Sequence, residues 1–381
     1  MKIIVAAGAL KGSLSAEKTT AAIITGLARS GVSTNIIGMP IADGGDGTLE
    51  AFLSRGGTRV AVTVSDALGR QIKSAFGMLP NGAAVIEMAL AVGLGHLDRS
   101  EVTPENSLRA STYGLGELVS AALDHGARRI IIGLGGSATT DGGTGCLRAL
   151  GVRFLDAAGG DVPPGGGSLD RVAVIDATAL DARLRETEII LAADVTAPAV
   201  GEGGAARVYA PQKGASPPEV EQLDANLTHL FTLIHTQHGI DVRTIPGGGA
   251  AGATAAGLFA FTGARMASGI DTLLDMVEFD QELRDTKLVI TSEGRLDDQT
   301  LQGKSPVGVA RRAAAYGVPT IALAGGVTGD ESVLYRAGLI PFSIVPAPMP
   351  LDEALRDAET LVERAALRLG YLLKLGEKLH R

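Results

Sequence analysis

Four stretches, three of them glycine-rich and three carrying an acid, have the residue types for phosphate or metal chemistry. The first is Asp43-Gly44-Gly45-Asp46-Gly47-Thr48. Two carboxylates three residues apart at an expected helix start can hold Mg²⁺ or orient a hydroxyl; a tight turn in which Asp46 only caps the helix is the competing reading. The second, residues 133–145, follows the apolar run Ile130-Ile131-Ile132. A glycine-rich strand-to-helix loop presents backbone amides and a positive helix end to phosphate, which makes Gly135, Gly136, Ser137 and Thr139 candidate phosphate contacts. No Gly-Lys-Ser/Thr closes this loop, and the spacing Gly133, Gly135, Ala138 fits the dinucleotide fingerprint only weakly. The third stretch, residues 246–252, is small enough for a ligand to approach and equally suited to close helix packing. The fourth, Thr291-Ser292-Glu293-Gly294-Arg295-Leu296-Asp297, sets Glu293 and Arg295 after an apolar strand; it suits an acidic substrate or a metal–phosphate, or else a salt-bridged loop. Asp194 closes another apolar strand and is a candidate general base, because an unpaired buried carboxylate there is costly. Lys213, in Pro211-Gln212-Lys213-Gly214, can bring positive charge to a phosphate. His235 and His238 lack the neighbours of a metal site.

The elements that must position these residues follow a strand–loop–helix rhythm. Residues 3–7 read as a buried strand, and Ser13 or Ser15 caps a helix through about residue 29. A strand over 33–38 leads to the first acidic loop, and a helix begins near Thr48. Residues 59–64, 72–79 and 83–88 alternate and are parted by turn signals, as antiparallel strands are. Strands over 129–133, 188–193, 287–291 and 319–324 follow, with a helix from residue 351. Hairpins in the middle and parallel units at both ends predict an α/β protein of two domains. One is a parallel-sheet domain, residues 1–57 plus 285–381; the other is an inserted mixed α/β domain, residues 58–284. The active site is expected in the interdomain cleft.

Composition narrows the partners. At 381 residues the chain exceeds what one core usually serves. A formal net charge of -8 argues against nucleic acid. One cysteine, Cys146, cannot form an intrachain disulfide and favours a reducing compartment. The opening apolar run is too short for a signal peptide, and no stretch suits a membrane span. Cytoplasmic location is the expectation.

Taken in order, Lys11-Gly12-Ser13-Leu14-Ser15, residues 40–48, Ser111-Thr112-Tyr113-Gly114, residues 135–145, residues 211–215, and Glu293-Gly294-Arg295 through Gln299-Thr300 resemble the bacterial glycerate kinase family over nearly the whole chain. The resemblance implies a two-domain α/β kinase, one domain Rossmann-like and the other an inserted α/β domain, that uses ATP and Mg²⁺ to phosphorylate D-glycerate, in many members at the 2-hydroxyl. It implies roles for Asp194 or Asp141 in orienting the hydroxyl, and for Lys11 and Arg295 at the substrate carboxylate or transferring phosphate. Lys213 would join Gly135, Gly136, Ser137 and Thr139 at the nucleotide. Asp43, Asp46 and Glu293 would serve the substrate, and Asp194 or Asp43 would hold the metal. A homodimer is compatible with this reading. Where the family has Asp or Asn, Asn, Asn and Gly, this chain has Gly8, Thr140, Ala197 and Ser292. The acids remain while polar side chains are replaced, so a different polyhydroxy acid is the first alternative, and a non-catalytic ligand-binding homologue the second.

Overall fold

The computed structural model describes residues 1–32, 35–42, 44, 45, 47–297 and 305–379. Its strands are β1 Lys2–Ala7, β2 Asn35–Gly38, β3 Thr58–Ser65, β4 Gln71–Met78, β5 Ala84–Glu87, β6 Arg129–Gly133, β7 Arg153–Leu155, β8 Val174–Asp176, β9 Glu188–Ala192, β10 Arg265–Ala267, β11 Thr286–Leu296, β12 Thr320–Val327 and β13 Leu339–Ser343. The chain divides into two compact units: residues 1–43, 50–55 and 270–381 form one, and residues 44–49 and 56–269 the other.

The first unit carries a parallel sheet of order β13-β12-β11-β1-β2. A parallel strand covered on both faces needs a continuous apolar run, and Ile3, Ile4, Val5, Ala6 and Ala7 of β1 are all fully buried. The N-terminal strand therefore pairs with a C-terminal one, Val5 opposite Ile290 of β11. Ser15 caps the helix Ala16–Arg29, its Oγ accepting the Lys18 amide at 3.3 Å. That helix packs on Ala358–Leu379 so closely that a Cβ on Gly26 would lie 2.2 Å from the Glu363 carbonyl oxygen.

Residues 270–284, assigned by their sequence to the inserted domain, belong to this unit. Charge pairing holds them: Arg312 donates to Asp275 at 2.7 Å and Asp280 at 3.1 Å, Arg311 to Asp271 at 2.6 Å, and Lys2 to Glu282 at 2.8 Å.

The second unit carries a mixed sheet of order β10-β9-β6-β5-β4-β3. β5, β6, β9 and β10 run parallel, and the expected hairpin β3–β4 joins antiparallel to β5. Asp66 turns the hairpin by accepting the amides of Leu68 and Arg70, each at 2.9 Å. Phe76, Ile86, Leu118, Ile132, Leu191 and Phe231 lie in its core. The fold is thus α/β with one parallel sheet, one mixed sheet and the two-stranded antiparallel pair β7–β8. Among the described residues, no helix is long and apolar enough to cross a membrane.

Candidate active site

The carboxyl edge of the second sheet is where its chemistry collects. β6 ends at Gly133, paired with Ala192 of β9, and the glycine loop begins there. Gly44 and Gly45 lie against it: Cβ atoms on Gly133 and Gly135 would come within 2.7 Å of the Gly44 oxygen and 2.4 Å of the Gly45 Cα. Only glycine permits that approach. The Gly135 amide is spent on the Gly44 carbonyl at 2.8 Å, so Gly135 supports the loop and offers no amide to phosphate. Gly136 turns with φ at 73°. Its carbonyl accepts the Leu94 amide, and the Ala138 amide donates to Val92, both at 2.9 Å. Among the described residues, the amides of Gly136 and Ser137 donate to no protein acceptor. The next helix, Thr144–Ala149, starts well beyond them, so these amides belong to the loop and not to a helix terminus.

Asp141 is wholly buried. Its Oδ2 accepts the Thr112 amide at 2.8 Å, the Thr112 hydroxyl at 2.9 Å and the Gly145 amide at 3.1 Å, while Oδ1 accepts the Gly143 amide at 3.1 Å. Burial pushes its carboxyl up, and these donors oppose that shift. A carboxylate so saturated takes no proton from a substrate hydroxyl; Asp141 anchors the loop instead. Lys213 is likewise buried. Its Nζ donates to the Ser137 Oγ at 3.0 Å and the Thr139 carbonyl at 2.6 Å, from beneath the loop. Burial brings its ammonium down to about 7, against the opposing charge of Asp141. Thr139 is fully buried, and its Oγ1 has no hydrogen-bond partner among the described residues. Lys213 and Thr139, expected at the nucleotide, are thus parts of the loop's foundation, because both side chains are withdrawn from solvent.

Asp194 lies two residues past β9, half-buried, with its Oδ1 accepting the Gly269 amide at 3.0 Å. The small-residue stretch 246–253 underlies both acid-bearing loops. The Gly249 amide donates to the Ala197 carbonyl at 2.9 Å, and the Gly142 amide to Gly252 at 3.0 Å. A Cβ on Gly252 would sit 2.1 Å from the Thr139 oxygen. Close packing, not ligand approach, explains these glycines. Glu87, a lone acid ending the apolar strand β5, went unremarked in the sequence. It is buried, and it accepts the Gly47 amide at 3.2 Å and the Leu49 amide at 3.0 Å, which fixes the first acidic loop to this unit. The signal was the same as at Asp194: a carboxylate closing an apolar run.

In the first unit, β11 continues through Leu296, so Glu293 and Arg295 stand in a strand where a loop was expected. They pair with Ala324 and Gly326 of β12. Arg295 and Lys11 are exposed, Glu293 half-buried. The Lys11 backbone runs 3.6 Å from where a Cβ on Gly294 would be, which brings these three residues into one neighbourhood. Two family departures touch here: the Ser292 Oγ donates to the Gly8 carbonyl at 2.8 Å. Asp43, Asp46, Gln299 and Thr300 lie outside the described residues. Among the described residues no three metal-ligating side chains converge.

A glycine loop at the carboxyl edge of an α/β sheet, with two amides that donate to no acceptor among the described residues, suits a phosphate-bearing ligand. The model of the glycerate kinase family matches residues 3–374. The chain is 42% identical over 380 residues to a glycerate kinase of Bacillus subtilis (strain 168), covering 99% of each. It is 41% identical over 380 residues to a glycerate 2-kinase of Escherichia coli (strain K12), again covering 99% of each. The solved structure of a glycerate kinase 2 from Salmonella typhimurium LT2 superposes with a TM-score of 0.87 at 41% identity, covering 99% of both chains. The chain belongs to the glycerate kinase family.

Proposed function

We propose that the chain is a cytosolic kinase that transfers the γ-phosphoryl group of ATP to a hydroxyl of D-glycerate or a close hydroxy acid. The observation that carries this reading is the pair of amides, Gly136 and Ser137, that donate to no acceptor among the described residues, on a loop locked from below by Lys213 and Asp141. Donors fixed before the substrate arrives stabilise charge in the transition state without reorganising. Asp194 is assigned the acceptor hydroxyl: its carboxylate takes the proton as the hydroxyl oxygen attacks the γ-phosphorus, and the bond to the bridging oxygen of ADP breaks. Lys11 and Arg295 are assigned the substrate carboxylate or the transferring phosphate, and Glu293, Asp43 and Asp46 the substrate hydroxyls.

Mg²⁺ is held by one or two carboxylates together with phosphate oxygens and water, so a half-buried Asp194 beside the glycine loop fits it without a larger acidic cluster. Asp43 is the second candidate ligand. When bound, the ion neutralises charge on the phosphate oxygens.

A larger polyhydroxy acid is the second reading. Gly8 favours it, since it carries no side chain beside Ser292. A homodimer is the assembly proposed, supported by the exposed apolar side chains of Tyr371, Leu372 and Leu375, and light scattering across a concentration series tests it.

The function is tested by coupled ADP release with D-glycerate, L-glycerate and four-carbon hydroxy acids, and by phosphorus NMR of the product. D-glycerate is expected to be turned over. Asp194→Ala is expected to lower kcat about 10²–10⁴-fold with the fold intact. Near-normal turnover by that variant removes Asp194 from catalysis, and turnover confined to four-carbon acids favours the second reading.

A further inference from the structure

We propose that a separate pocket on the same sheet edge receives the nucleoside of the phosphoryl donor; this rests on the kinase reading above. The pocket is a cavity of about 580 Å³ in the second unit, and its walls include Leu68, Leu108, Tyr113 and Pro164, with Ser111 and Ser168 as polar members. That volume is in the range of small-ligand sites, which combine apolar walls with a few polar groups.

Its position matches the glycine loop in two ways. The first is distance. The hairpin turn after β3 lines the pocket, and β3 lies three strand positions from β6 in the sheet. Three spacings amount to about 14 Å, a distance that ribose and base cover from the phosphates they carry. β3 also runs parallel to β5 and β6, since β4 is antiparallel to both of its neighbours, so the pocket and the loop share the carboxyl edge.

The second is mechanical connection. Thr112, between Ser111 and Tyr113, gives both its amide and its hydroxyl to Asp141, which also holds the Gly143 and Gly145 amides. The opposite wall rests on the same loop: a Cβ on Gly166 would lie 2.1 Å from the Thr140 oxygen. One buried carboxylate thus sets both the phosphate loop and the pocket wall.

The chemistry selects a nucleoside over the acceptor acid. Arg109 is the cation at the rim, but it is largely exposed and paired with Glu105 at 3.4 Å. A three-carbon acid needs a small basic site. Tyr113, 41% exposed, instead offers a ring face on which a base can stack.

The test uses the full chain and titrates ADP and inorganic tripolyphosphate by calorimetry. Tyr113→Ala removes the stacking face and Ser168→Trp fills the cavity. Each is expected to weaken ADP about tenfold or more while leaving tripolyphosphate affinity unchanged. The chain has no tryptophan, so Tyr113→Trp adds a single fluorophore whose emission should respond to ADP and not to tripolyphosphate. ADP affinity held within about twofold in both blocking variants overturns the nucleoside pocket while leaving the kinase reading intact. So does a parallel loss of both ligands, which marks general damage to the loop. If the unaltered protein binds neither ligand and consumes no ATP, the kinase reading and this inference fall together.

Discussion

An ammonium group held beneath a glycine loop is stabilised only by the acceptors that meet it. Lys213 meets two, Ser137 Oγ and the Thr139 carbonyl, with Asp141 close enough to raise its proton affinity. Lys213→Met removes both bonds. KM for ATP is expected to rise about tenfold, because the amides of Gly136 and Ser137 lose their fixed setting. The same group makes stability depend on pH. Its folded value of about 7 lies below the ordinary 10.5. Between those values the unfolded chain holds a proton that the folded chain has released, so this group adds stability as pH rises through that window; below 7 both states are protonated and the burial cost is full. Urea midpoints of wild type relative to Lys213→Met should therefore move in favour of wild type from pH 7 to about pH 9. Asp141→Asn turns an amide toward donors and leaves Lys213 without its counter-charge. A loss of about 3 kcal/mol is expected in urea unfolding, far more than a surface change gives. The sequence marks Asp141 and Asp194 equally, as acids in glycine-rich or strand-end settings. Nothing local in it says that Thr112 lies over one of them.

At the scale of elements, the wedge under the site is strained. Ala251, Gly252 and Ala253 take φ of 54°, 65° and 65°, a left-handed turn within the helix Ala250–Thr262. For alanine that conformation costs about 1–2 kcal/mol, and glycine returns roughly 0.5–1 of it as chain entropy in the unfolded state. Ala251→Gly and Ala253→Gly are each expected to stabilise the protein by up to about 1 kcal/mol in thermal or urea unfolding. Gly252→Ala should do the reverse, because its new Cβ would meet the Thr139 oxygen at 2.1 Å. Strand and helix identities were largely legible here: apolar runs and turn residues found β1, the β3–β4 hairpin, β6 and β9. The extension of β11 through Leu296 was not. Its Glu293-Gly294-Arg295 reads as loop, and only pairing with β12 keeps it extended.

At the scale of the whole molecule, the order of strands crosses the chain. β1 stands between β2 and β11, so the first unit cannot complete its sheet from N-terminal residues alone. A fragment of residues 44–269, which holds the entire β10-to-β3 sheet, is expected to unfold cooperatively in urea by circular dichroism. A fragment of residues 1–55 should show no transition, because β1 lacks its β11 partner. The segment 270–284 sits with the first unit for a similar reason: its acids meet Arg311 and Arg312, which lie some forty positions along the chain.

By itself the sequence determined the α/β class, the glycine loops and the family, because periodicity, turn chemistry and ordered motifs are local properties that survive without coordinates. Tertiary structure alone decided which polar groups are spent. Lys213 reaches Ser137 across 76 residues and Thr112 reaches Asp141 across 29. Only folding brings such partners within hydrogen-bonding distance, and that saturation marks Asp141 as an anchoring carboxylate.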